Sequence, residues 1–159
     1  MFLKRIVSGG QTGVDRGALD AALDAGFPCG GWMPKGRKAE DGPVPGRYPL
    51  QELAVGGYEE RTLQNVLDSD GTAILHFGAP EGGTRQTRVY CVEHGKPCES
   101  VDASRATPQE AALKLVAFIE RNQIGALNIA GPRASKWPGA HAYARDTVAR
   151  LLRAAASCA

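Results

Sequence analysis

The sequence predicts one α/β domain, residues 1–159, folded as a three-layer α/β/α sandwich around a mostly parallel sheet of about five strands. Short apolar runs of strand length alternate with longer segments of helical periodicity about five times along the chain. Glycine-rich turns follow several of these runs, as is typical where a parallel strand leads into a helix. We expect right-handed crossovers and the strand order 2-1-3-4-5, because this order places the first and third strand ends beside one switch point.

The first strand and the first helix flank a glycine-rich turn. Residues 2–7 are apolar and β-branched enough for a buried strand, and apolar residues recur at helical spacing from Val14 until Gly26. The turn between them fits neither the dinucleotide nor the Walker glycine spacing. Its backbone N–H groups and the positive end of the helix still predict a site for a phosphate or another oxyanion. Thr12 and Asp15 also match a helix-capping box, an interpretation compatible with the first. The turn residues of this predicted anion site are Gly9, Gly10, Gln11, Thr12 and Gly13.

Two later strand ends repeat the pattern. The apolar run 72–77 leads into the loop 78–87, and the run 126–130 leads into the loop 131–135, each before a helical segment. In an open parallel sheet, ligands bind beyond the carboxyl ends of the strands, where the strand order reverses. We therefore expect the three loops to converge on one ligand. The residues that these two loops would contribute are Gly82, Gly83, Thr84, Gly131 and Arg133.

Residues 34–57 form a long loop with four prolines, five glycines and little periodicity. Loops longer than about 12 to 15 residues are uncommon in compact domains and are often lids or binding loops. We expect this loop to lie over the carboxyl edge of the strands, where Lys35, Arg37 or Lys38 would meet an anionic ligand. The alternative is that these cations form a solvated surface strip.

The remaining helices are predicted as scaffolding. A short helix covers residues 58–67, between the long loop and the strand that starts near Thr72. Thr107, Pro108 and Glu110 form a complete helix start, with Thr as N-cap, Pro at the first position and Glu at N3. The C-terminal helix places an apolar stripe from Ala144 to Ala155 against the sheet.

Composition bounds the class of protein. A net charge of +2 and a pI near 8.4 are too mild to predict nucleic-acid binding. No apolar stretch is long enough for a bilayer and no signal-peptide pattern is present, so we expect a cytoplasmic protein without membrane contact. The cysteines lack C-x-x-C spacing and accompany three scattered histidines, which predicts neither a disulfide framework nor a metal site. The four cysteines are Cys29, Cys91, Cys98 and Cys158.

Long motifs in a fixed order, spread over nearly the whole chain, resemble those of the molybdenum cofactor carrier family. The motifs are Ser8–Arg16, Gly31–Gly42, Asp68–Thr72, Gly82–Thr84 and Asn128–Arg133. The resemblance implies a Rossmann-like fold, a homo-oligomer (dimer or tetramer), and a molybdopterin cofactor that is held without being transformed. Molybdoenzymes are the partners that such a carrier would serve.

The resemblance also implies roles for particular residues. The Gly9–Gly13 backbone with Thr12 would meet phosphate or molybdate oxygens, and the 82–84 segment would supply donors from the facing loop. Asp15 would accept a hydrogen bond from the pterin, unless it only caps the helix. Trp32 would stack on the pterin or belong to the core, and Cys29 would touch molybdenum or be a buried thiol.

A more distant resemblance links the chain to the cytokinin-activating phosphoribohydrolases once described as lysine decarboxylases. Their P-G-G-x-G-T-x-x-E loop ends in a catalytic glutamate, whereas Thr87 stands at that position here, and a hydroxyl cannot replace a carboxylate. No nucleophile, base and orienting group occur together, so we expect binding without catalysis. The alternative is a nucleotide-binding protein, or an enzyme on a nucleoside phosphate or ADP-ribose-like ligand, that uses Asp15, or Glu40 with Asp41.

Overall fold

The computed structural model describes residues 1–157, and within them a parallel sheet of five strands lies between two layers of helices. This confirms the predicted α/β/α class. The strands are β1 (Arg5–Val7), β2 (Cys29–Gly30), β3 (Trp32–Met33), β4 (Lys38–Ala39), β5 (Gly42–Pro43), β6 (Gln51–Glu52), β7 (Gly71–His76), β8 (Cys98–Asp102) and β9 (Ala126–Ala130). The helices are α1 (Val14–Asp24), α2 (Tyr58–Leu67), α3 (Gly82–Glu93), α4 (Pro108–Asn122) and α5 (Ala140–Ser157).

The central sheet has the order β2-β1-β9-β7-β8, and all its neighbouring strands are parallel. Counted among these five strands, the order is 2-1-5-3-4, so the expected order 2-1-3-4-5 is wrong. The last strand, β9, lies between β1 and β7, where both of its faces are covered, since Leu127 and Ile129 are buried on one face and Asn128 is buried on the other. Strand β8 carries Glu99 and Ser100 and lies at the edge, where solvent can reach polar side chains.

The connections between the parallel strands place helices on both faces of the sheet. Helices α1, α4 and α5 pack together on one face, and α2 packs with α3 on the other. The predicted start of α4 is confirmed, since the Glu110 N–H donates to the Thr107 hydroxyl over 3.2 Å and the Thr107 N–H donates to Glu110 over 3.1 Å. Among residues 1–157, no helix combines the length and the apolar character that a membrane span requires.

The segment 34–57 packs as a small layer of its own on helix α1. It contains a 3-10 turn at Lys35–Arg37 and the short antiparallel pair β4–β5, and β6 pairs in parallel with β3. Its apolar side chains, including Tyr48, form a second small core with Leu19 of α1. Asp20 of α1 also binds the segment to this helix, because the Tyr48 hydroxyl donates to the Asp20 carboxylate over 2.8 Å.

Candidate functional site

A cavity of about 280 Å³ opens where the carboxyl ends of β1, β9 and β7 meet. The chain leaves β1 toward β2 on one side, whereas β9 and β7 lie on the other, so this is the switch point of the sheet. The volume lies near the lower end of the range of roughly 300 to 1,000 Å³ found for small-molecule sites. The walls come from the loop after β1, the start of α3, one face of α2 and the loop after β9.

Arg61, on α2, supplies a buried positive charge to this cavity. Its side chain is 6% exposed, and Nη1 donates to the Gly9 carbonyl over 2.5 Å. No ion pair joins the Arg61 guanidinium to a carboxylate of residues 1–157, and no other acceptor in that part of the chain takes its remaining N–H groups. Burial lowers the pKa of Arg61, although a guanidinium keeps its charge at neutral pH. A buried cation with free donors is suited to an anionic ligand.

Asp15 occupies one donor of the first glycine-rich turn. Its carboxylate, on a residue that is 8% exposed, accepts the Gln11 N–H over 3.1 Å. Burial raises the pKa of Asp15, and the charge of Arg61 opposes this shift. The protein's own carboxylate therefore already accepts one N–H of this turn.

Gln11 and Thr12 join the turn to its neighbouring loops. The Gln11 side-chain oxygen accepts the Thr12 N–H over 3.0 Å and the Glu40 N–H over 2.9 Å. The Thr12 hydroxyl donates to the Glu40 carboxylate and accepts the Ala134 N–H over 3.1 Å. The predicted capping box is wrong, because the N-cap of α1 is Gly13 and no side chain caps it.

Three cations surround the ring of Tyr58 at the cavity. The Lys38 ammonium lies 5.2 Å from the ring centroid, the Arg61 guanidinium 5.6 Å and the Arg133 guanidinium 5.5 Å. Contact with the ring face offsets part of the cost of placing each cation there. Their mutual repulsion remains, and an anion between them would relieve it.

The start of α3 presents backbone donors to the same cavity. Gly82 has a φ of +50°, and a Cβ atom on Gly82 or Gly83 would meet nothing within 4 Å. In the described part of the chain, neither N–H has an acceptor, whereas the Thr84 N–H donates to the Glu81 carbonyl over 3.1 Å. The Thr87 hydroxyl donates back to the Gly83 carbonyl over 2.9 Å. This helix start combines open space with free N–H groups, the arrangement that binds phosphates.

The structure brings most of the predicted site residues together. Those that line the cavity are Gly9, Gln11, Asp15, Gly82, Gly83, Thr84, Gly131 and Arg133. Those outside its lining are Gly10, Thr12, Gly13 and Lys35. A Cβ atom on Gly10 would meet Leu50 at 2.5 Å, and one on Gly13 would meet the Pro132 carbonyl at 2.5 Å, so these glycines allow close packing of the loops.

Sequence reasoning missed several lining residues. Arg61 and Asn65 lie on the buried face of α2, where polar side chains at helical spacing were a signal that could have been used. Trp32 does not line the cavity, since its indole N–H donates to Asp68. The missed lining residues with aromatic or charged side chains are Tyr58, Arg61, His76, Phe77, Glu81, Lys136 and Trp137.

The thiols lie apart from this cavity lining. Cys29, Cys91 and Cys98 are free, and Cys158 lies outside the described residues. Burial raises the pKa of the Cys29 thiol. Within residues 1–157, no group of three or more His, Cys, Asp or Glu side chains could hold a metal ion.

Comparison with known proteins finds one family and one solved structure that match this chain. The model of the circularly permuted YpsA SLOG family matches residues 6–152. A crystal structure of a protein named "Putative molybdenum carrier protein", from Syntrophus aciditrophicus SB, superposes with a TM-score of 0.91. The two sequences are 44% identical, and the match covers 94% of this chain and 95% of that chain. No curated protein matches this chain. The two matches confirm the resemblance carried by the motifs.

Proposed function

The chain belongs to the circularly permuted YpsA SLOG family, and from that premise we propose that it binds the molybdenum cofactor, an anionic pterin, and carries it without transforming it. The family and the structural neighbour support a ligand-binding role. The printed name of the neighbour, a molybdenum carrier, supports the choice of ligand.

Arg61 is the observation that carries this proposal. A buried guanidinium with free N–H donors, beside a second guanidinium on Arg133, favours a ligand with several negatively charged oxygens. Molybdopterin offers a phosphate and, when loaded, oxo groups on molybdenum. The donor set of the cavity suits these oxygens.

The start of α3 is the second contact for the anion. The Gly82 and Gly83 N–H groups would donate to phosphate oxygens at the positive end of the helix, and Thr84 would add a hydroxyl. The first glycine-rich turn has a different role in this proposal, because Asp15 already accepts a donor of that turn. Asp15 would instead accept an N–H of the ligand's ring.

The long segment 34–57 would stand at the edge of the site without forming its walls. Lys38 approaches the Tyr58 ring from this segment, although neither Lys38 nor Lys35 lines the cavity. Thr12 and Glu40 would hold the segment to the first turn. Homo-oligomers, and molybdoenzymes as recipients of the ligand, remain predictions from the family resemblance.

The hydrogen bonds of two candidate groups support the proposal of binding without catalysis. The Thr87 hydroxyl is used in a bond to the Gly83 carbonyl, and the Asp15 carboxylate accepts the Gln11 N–H. Neither is placed as a base beside a nucleophile. Hydrolysis of a nucleoside phosphate would contradict the carrier proposal.

The experiment is an anaerobic thermal-shift titration with molybdopterin cofactor, molybdate, AMP, ADP-ribose and NAD. A ligand at about 100 times its Kd stabilises the fold by roughly 2.7 kcal/mol, which raises Tm by roughly 5 to 11 °C. Arg61→Gln removes at least one charge-assisted hydrogen bond of about 1.5 to 3 kcal/mol, so Kd should rise roughly 10- to 150-fold. At the same ligand concentration the stabilisation should then fall to roughly 0.3 to 1.4 kcal/mol.

Arg133→Gln is the second variant, since Arg133 is partly exposed and its loss threatens the fold less than that of Arg61. Arg150→Gln is the matched control, because Arg150 lies on α5 and, within residues 1–157, forms its one ion pair with Asp146. The proposal is supported if the molybdenum cofactor raises the Tm of the wild type, and if this rise is smaller in both site variants but unchanged in the control. The proposal is overturned if only nucleotides raise the Tm, if no ligand raises it, or if the protein releases the base from AMP or ADP-ribose.

A further inference from the structure

We propose that Phe77 and Trp137 form a stacking platform for a planar heterocycle, so that the site selects phosphates that carry a flat ring over bare oxyanions. This inference rests on the proposed function and adds to it the part of the site that recognises the uncharged end of the ligand.

Phe77 departs from the burial pattern of its strand. Every residue of β7, Gly71–His76, is buried, yet the next side chain is 57% exposed. Phe77 lines the cavity. A large apolar ring at the end of a buried strand thus faces the space in which the ligand would lie, and a flat ring stacked on it would cover apolar surface.

Trp137 makes the platform rigid. Its ring centroid lies 5.6 Å from that of Phe77, with an interplanar angle of 31°, and 5.5 Å from that of Tyr143. The Tyr143 hydroxyl donates to the Ala106 carbonyl over 2.8 Å, which anchors the far end of this aromatic row. Because the three rings hold one another, little rotamer freedom would be lost when a ligand stacks on them.

Trp137 of the platform and two cations, Arg133 and Lys136, belong to one short turn. The Trp137 N–H donates to the Arg133 carbonyl over 3.1 Å, so one turn of the chain supplies both the ring and a guanidinium. Lys136 lies between them and also lines the cavity. A ligand that uses both features must therefore carry its anionic group close to a planar ring. Pterin phosphates and nucleotides share this chemistry, and inorganic phosphate and molybdate lack the ring.

The test uses Trp137 as an internal probe. The chain has two tryptophans, and Trp32→Phe leaves Trp137 alone while changing a residue outside the cavity lining. The protein is titrated with neopterin monophosphate, AMP and inorganic phosphate, and tryptophan emission is recorded beside binding by calorimetry. We expect saturable quenching of Trp137 by at least one ring phosphate. Inorganic phosphate should compete for the site without quenching.

Phe77→Ala measures the contribution of the platform. Stacking on an aromatic side chain contributes about 1 to 3 kcal/mol per ring, so Kd for the quenching ring phosphate should rise about 5- to 150-fold while Kd for inorganic phosphate stays unchanged. Phe77→Leu keeps apolar bulk without an aromatic plane and should show most of the same loss. Phe2→Ala is the matched control, since Phe2 is also exposed, at 45%, and lies outside the cavity lining.

The outcomes separate the two proposals. If inorganic phosphate binds through Arg61 but Phe77→Ala and Phe77→Leu leave the ring-phosphate affinity unchanged, or no ring phosphate quenches Trp137, the platform proposal is wrong and the anion site stands. If neither phosphate nor any ring phosphate binds, the proposed function fails together with this inference. Quenching by AMP alone would support the platform and overturn the pterin ligand.

Discussion

Two helical glycines should respond to the same substitution with opposite signs. In an open helix position, Gly→Ala stabilises a protein by about 0.5 to 1 kcal/mol, because alanine has the better helix propensity and restricts the unfolded chain. At Gly17, a Cβ atom would lie 2.4 Å from the His141 carbonyl oxygen and 3.0 Å from the Ala144 Cβ. At Gly83, it would meet nothing within 4 Å.

The Gly17→Ala variant must push α1 away from α5. Overpacking of this kind costs about 1 to 3 kcal/mol, and the backbone contact favours the upper end because a carbonyl cannot rotate away. After the propensity gain is subtracted, we expect a loss of about 2 kcal/mol, which lowers Tm by roughly 4 to 8 °C. Gly83→Ala should gain about 0.5 kcal/mol, which raises Tm by roughly 1 to 2 °C.

Urea unfolding of the ligand-free protein, followed by circular dichroism, measures both changes. Comparable stabilisation by Gly17→Ala and Gly83→Ala would refute the close approach of α1 and α5 and with it this account of their packing. Gly83→Ala carries a second expectation, because it adds a methyl group to a residue that lines the cavity. It should weaken phosphate binding while it stabilises the fold.

Three further changes test other parts of the molecule. Burial by itself raises the pKa of Asp20, but hydrogen bonds from His141 and Tyr48 leave this pKa below its ordinary value. The ionised Asp20 carboxylate therefore stabilises the fold above about pH 4, and this stabilisation is lost as the pH falls through the pKa that Asp20 has in the folded protein. Asp20→Asn should cost about 1 to 3 kcal/mol at pH 7 and flatten this acid-side loss in urea titrations at pH 2 to 7; an unchanged pH profile would contradict it. Thr107→Ala removes the N-cap of α4 and should cost about 1 kcal/mol, which thermal unfolding would detect. Burial raises the pKa of Asp15, so the stability of the wild type falls as the pH rises through the pKa that Asp15 has in the folded protein, and Asp15→Asn should lack this fall. Asp15→Asn should also bind inorganic phosphate more tightly by calorimetry, because it removes a negative charge from the cavity. Equal or weaker binding would count against this electrostatic repulsion.

Local signals in the sequence predict much of this fold. The α2 range 58–67 and the β9 range 126–130 agree with the structure at both ends. The start of α4 at Thr107 is another success, because a capping box depends only on residues within one turn. Thr12 carries the same type of signal and fails, since the loop after β9 and the Glu40 carboxylate engage its hydroxyl instead.

The strand order shows a different limit. Periodicity predicts that β9 is a strand, but its neighbours depend on contacts between distant segments. The polar residues of β8 indicated an edge strand and the apolar residues of β9 a central one. Weighing these compositions would have moved the last strand into the centre of the sheet.

The sequence by itself determined the element types, the parallel α/β class, the three glycine-bearing strand ends and the family, because all of these depend on residues close together along the chain. Only the tertiary structure decided the strand order and the donors that face a ligand. Arg61 reaches the cavity by contact with Gly9, 52 positions earlier in the chain, and Asp15 takes a donor that the first turn would otherwise offer. The physical reason is that burial and charge pairing depend on which distant segments meet, and helical or strand periodicity carries no information about that.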